Sequence, residues 1–238
     1  MASNDLILDV SVIDSDLHNK YFNYPGQNGK ILEFTTIAGW RDYLESLRIQ
    51  SSRVPIIHAN QYHVALRLML LGWADGFVIK PAELQALRSL EGALAQGYFD
   101  VIFELEQKER EQLRQKCGLN KSGKCQRCQS CSPIDRMKYR PGLCKYLDYM
   151  VAHDSLPNIF HNETKKKGPD ALHNIRNGLA HGSPFNNGSW GGLMESVRDV
   201  IEHAYRNHPD QSEMGFVSVD IQNNQLAWFG SPSLSGFF

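Results

Sequence analysis

From Asn60 onward the apolar residues Tyr62, Ala65, Leu66, Met69 and Leu70 recur at intervals of three and four, the spacing that lines one face of an α-helix. Pro81, well suited to a first helical turn, opens a second such pattern through Leu84, Leu87, Leu90 and Leu94. Two amphipathic helices in succession bury their stripes most simply against each other and against further helices, so a helical bundle is expected. The same period predicts helices over Trp40 to Ile49, with Tyr43, Leu44 and Leu47 on one side, and over Gly142 to His153. It predicts another over Leu193 to His208, with Val197, Ile201 and Ala204 together.

The two ends read differently. Residues 1–58 mix short apolar runs (LILDVSVI, ILEFTTI) with a turn-rich cluster from Tyr24 to Gly29, which predicts two short strands or extended arms packing on the bundle. Tyr21, Phe22 and Tyr24 are expected to pack rather than to stack on bases. In 211–238 the period changes, and Gly215 to Ile221 followed by Gln225 to Phe229 predicts a small β-hairpin. The fold class is therefore mainly α, with a short N-terminal extended region, a bundle over 59–210 and a C-terminal hairpin and tail.

Glu104 to Lys116 (ELEQKEREQLRQK) is polar nearly all round, with Glu104–Lys108 and Glu106–Arg110 spaced i,i+4, and is expected to be an exposed helical extension. The segment that follows it, 117–144, holds every cysteine of the chain: Cys117, Cys125, Cys128, Cys131 and Cys144. The central C-x2-C-x2-C run suits thiolate ligation of a metal. A structural zinc on any four of the five is the first expectation. An iron–sulfur cluster and no metal at all stay open, and the ferredoxin-like pattern lacks its next cysteine three residues on.

Ala171 to Pro184 (ALHNIRNGLAHGSP) carries the chemistry. Leu172, Ile175 and Leu179 form an apolar stripe, and Gly182 with Pro184 ends the helix. At 100° per residue Asn177 and His181 fall nearly opposite that stripe, His173 lies one turn before Asn177, and Arg176 sits at the stripe's edge. Arginine binds phosphate in a bidentate fork, and histidine titrates near neutral pH. His181, in the last turn, also meets the negative end of the helix dipole, which favours imidazolium.

Arg176-Asn177-x3-His181 within IRNGLAHG resembles the R-x4-6-H motif of the HEPN (higher eukaryotes and prokaryotes nucleotide-binding) superfamily. The resemblance covers about Lys167 to His208. It implies a HEPN-like helical bundle and a metal-independent endoribonuclease of toxin or antiphage-defence type, with no cofactor for catalysis. Arg176, His181, Asn177 and His173 would form the catalytic set. It further implies an acidic residue on an early helix near the Arg and His. Glu91, about 45° from the centre of its helix's apolar stripe, is the first candidate, and Glu83 the second. Catalytic clefts in that family form where two motif helices meet, so a homodimer is expected, and an antitoxin or regulatory protein joins RNA among the expected partners.

A net charge of −1 argues against wholesale electrostatic capture of nucleic acid, so RNA binding must be local. Lys165, Lys166 and Lys167, just before the motif helix, are the expected attractors of a phosphate backbone. No stretch approaches the roughly 20 apolar residues of a membrane span and the first residues are acidic, so a cytoplasmic protein away from membranes is expected. The competing reading is a non-catalytic HEPN-like module that binds a nucleotide or a partner protein through the same face. A third is a zinc-dependent adaptor acting through the cysteine loop.

Overall fold

The computed structural model describes residues 22–26, 30–117, 132–157, 172–180 and 190–210. These described residues are mainly helical, with one small antiparallel sheet among them. Strands β1 (Phe22–Pro25) and β2 (Ile31–Phe34) pair with Phe22 opposite Phe34 and Tyr24 opposite Leu32. Helices α1 (Ile37–Ser46), α2 (Ile56–Leu71), α3 (Ile79–Lys116), α4 (Leu143–His153), α5 (Leu172–Ala180) and α6 (Leu193–Tyr205) follow.

ILEFTTI supplies β2 as expected, but its partner strand is Phe22–Pro25, which takes Tyr24 and Pro25 out of the cluster read as a turn. The reason is aromatic packing. Phe22 and Tyr24 lie 4.7 and 5.2 Å from the Trp40 ring, centroid to centroid, and Tyr24 is fully buried. The chain turns between them where the Gly26 amide donates to the Lys30 carbonyl. LILDVSVI and the C-terminal hairpin lie outside the described residues.

The first helices begin at recognisable sequence signals. Thr36 caps α1, its hydroxyl accepting from the Gly39 amide at 3.1 Å, and Pro55 precedes α2. Between α2 and α3 a tight turn runs through a single 3-10 turn capped by Asp75. A Cβ on Gly72 would lie 2.8 Å from Ile79 Cγ1 and 2.9 Å from the Met69 carbonyl, so this close approach requires glycine.

The core runs unbroken from the sheet through the bundle: Tyr24, Trp40, Tyr62, Leu87, Leu90, Leu94, Val197 and Ile201 are all fully buried. Three of its large polar-tipped aromatics find backbone partners. Trp40 Nε1 donates to the Met69 carbonyl, Tyr62 to that of Met194 and Tyr205 to that of Ala93, at 3.1, 2.9 and 2.9 Å.

Glu104 to Lys116 is the distal part of α3, a single helix about 57 Å long. It is not merely a solvated extension. Glu106 pairs with Lys145 of α4 rather than with Arg110, whose Nη1 donates to the Ser132 carbonyl at 3.1 Å. Gln107 clamps Ile134 with both of its amide atoms, at 2.8 and 3.3 Å. The chain returning along α3 thus supplies partners for Glu106 and Arg110 in place of their i,i+4 pair.

Candidate functional site

The motif helix α5 packs against α3 and α4. Leu172 and Ile175 are buried and Leu179 is partly buried against the core, as the apolar stripe requires. Arg176 at the stripe's edge is directed onto α3, where its Nη2 donates to Oε2 of Glu91 at 3.1 Å. The two side chains are 32% and 28% exposed, so the pair is reachable from solvent. His181 and Lys165 to Lys167 lie outside the described residues, as do the side chains of His173 and Asn177.

Glu83, the second acidic candidate, has a different job. It is fully buried, accepting from the Trp190 amide at 2.6 Å and from Lys80 Nζ at 2.9 Å. Burial pushes its carboxyl up, and the Trp190 amide and Lys80 oppose that shift. Lys80 also lies 5.7 Å from the centre of the Trp190 ring. The chain just past Trp190 is fastened as well. Gly192, at φ 72°, donates to the Pro25 carbonyl at 3.2 Å, and a Cβ on Gly191 would crowd Pro25 and Gly26. Glu83 and Glu91 on α3 therefore anchor the chain on either side of the motif's end.

Beside the ion pair lies an open groove of about 420 Å³. One wall is a single face of α3: Arg88, Glu91, Gly92, Ala95 and Phe99 follow at intervals of three, one, three and four. The small residues in the middle leave the space, and Arg140, Pro141 and Tyr146 close the other side. The Tyr146 hydroxyl is pushed up to about 12, chiefly by burial and further by Glu91, with Arg140 opposing. Glu91 belongs both to this groove and to the Arg176 pair. Only Glu91 among these groove residues was expected in advance. The α3 part is visible as a helical stripe, whereas Arg140 and Tyr146 come from a distant stretch that no local period connects.

Of the cysteines, Cys117 and Cys144 are described and the other three are not. Cys144 Sγ lies 3.5 Å from Asp148 Oδ2, and burial pushes its thiol up, with the Asp148 charge adding to the shift.

No family model, curated protein or solved structure matches the chain.

Proposed function

We propose that the protein is a metal-independent endoribonuclease on a HEPN-like bundle, acting as a homodimer. The observation that carries this reading is the Arg176–Glu91 pair, whose carboxylate also lines an open groove: the motif arginine and an early-helix carboxylate, far apart in sequence, meet beside a space open to a strand. In this chemistry a ribose 2′-hydroxyl attacks the adjacent phosphorus and forms the new P–O bond. The bond to the 5′-oxygen breaks, leaving a 2′,3′-cyclic phosphate and a 5′-hydroxyl. His181 takes the hydroxyl proton or returns one to the leaving oxygen, with His173 as a second titrating group. Arg176 neutralises charge developing on the phosphorane, Asn177 hydrogen-bonds a phosphate oxygen, and Glu91 orients the guanidinium.

Lys165 to Lys167 would draw the backbone in, and a structural zinc on the cysteine segment would stand apart from the chemistry. A toxin or defence setting, with an antitoxin or regulator and a cytoplasmic location, belongs to the same reading. One specific observation favours the binding-module alternative: Arg176 is already engaged by a carboxylate and must share or exchange that partner to meet a phosphate. The two readings part on activity. Purified protein with mixed RNAs and EDTA should cut, and Arg176→Ala and His181→Ala should each lose on the order of 10²- to 10⁴-fold in rate. No cutting by wild type would leave only the binding module, and wild-type cutting rates in both variants would take the chemistry away from Arg176 and His181.

A further inference from the structure

Arg88 and Arg140 are both exposed, and both line the groove next to Glu91. Several other arginines among the described residues find carboxylates: Arg206 takes Asp154, Arg198 takes Asp199 and Arg136 takes Asp100. Among the described residues neither Arg88 nor Arg140 has such a partner, and Arg140 Nη1 donates to the carbonyl of its neighbour Tyr139 at 2.7 Å. They share the groove with Glu91, whose carboxylate Arg176 meets from α5. Phe99 adds an apolar ledge, its ring nearly parallel to that of Phe103 and 5.9 Å from that of Tyr139.

We propose that this groove is the binding track for single-stranded RNA, in which Arg88 and Arg140 grip a phosphate neighbouring the one at Arg176 and Phe99 carries a base. This rests on the ribonuclease reading for the identity of the strand. Guanidinium forks match phosphate oxygens, aromatic faces accept any base, and an open groove of this volume admits a strand. Glu91 fits the same ligand, because a carboxylate can accept from a ribose hydroxyl or a base amine. An acidic peptide would set its carboxylates against Glu91 and offer nothing to Phe99.

The test is fluorescence anisotropy of the full chain with a short fluorescein-labelled single strand carrying 2′-O-methyl groups, which binds without being cut. Arg88→Gln with Arg140→Gln should lower affinity at least ten-fold, roughly, and flatten the slope of log affinity against log salt by about 0.7, the share of one phosphate contact on a single strand. Phe99→Leu should lower affinity roughly five-fold or more with the salt slope unchanged. Both arginines are exposed, so thermal unfolding should match wild type, and the two single substitutions give the same readout separately.

Wild-type affinity and slope in the double variant overturn the assignment. So does failure of wild type to bind the probe, or competition by a polyglutamate peptide as effective as that by RNA. Cutting of unmodified RNA separates the two readings. Expected binding without cutting sinks the nuclease and keeps the track, whereas cutting with unchanged binding in the double variant sinks the track alone.

Discussion

Arg176 and Glu91, 85 positions apart in the chain, meet at 3.1 Å across the α3–α5 contact. An ion pair this accessible contributes about 0–1 kcal/mol to stability, so its value lies in aiming the guanidinium. Glu91→Gln keeps an oxygen to accept from Arg176 and removes the charge. Cleavage should fall roughly ten-fold, or more, while stability changes by less than about 1 kcal/mol. Rates measured at saturating RNA, beside a denaturant titration, check both halves. A variant that loses stability without losing rate would make Glu91 purely structural.

The second prediction concerns the far end of α4. Asp154 receives Arg206 through both guanidinium arms, at 2.5 and 3.0 Å, and also accepts from the Tyr98 hydroxyl. Burial pushes its carboxyl up, but the hydrogen bonds from Arg206 and Tyr98, with the charges of Arg206 and His203, outweigh that and hold it below the ordinary range. A carboxylate depressed in the folded state stabilises above its unfolded value of about 3.9, and the contribution is lost as pH falls through the folded value. Asp154→Asn should therefore cost about 1–2 kcal/mol at pH 7 and show a flatter loss of stability below about pH 4 than wild type. Urea midpoints across that range report it.

Gly97 lies within α3, and a Cβ there would meet nothing within 4 Å. Glycine in a helix interior is less favourable than alanine by about 0.5–1 kcal/mol. Gly97→Ala should raise stability by about that amount and leave RNA binding unchanged. A destabilised variant would mean that the bare backbone at this position is needed by a partner.

The bundle is legible in sequence wherever one helix buries one stripe. Leu87, Leu90 and Leu94 are fully buried, as are Val197 and Ile201, because their period is set locally. Arg176 and Glu91 are legible individually, from a motif and from a position near an apolar stripe. Their meeting is a tertiary event. So is the groove, since Arg140 and Tyr146 join the α3 face only when α4 docks. The pairing of Phe22–Pro25 with Ile31–Phe34 escapes a reading based on apolar runs, because packing around Trp40 selects that register. The Glu106–Arg110 pair predicted on distal α3 fails for a similar reason: Lys145 and Ser132 lie nearer in space than in sequence.

The central claim is cleavage through the ribose hydroxyl, and one substrate pair tests it most directly. Wild-type protein in EDTA is given an end-labelled RNA it cuts and the same strand with a single 2′-deoxy sugar at the cut position. The account predicts cyclic-phosphate ends from the first and no scission at that position in the second. Equal cutting of both strands, or no cutting of any RNA offered, would contradict it.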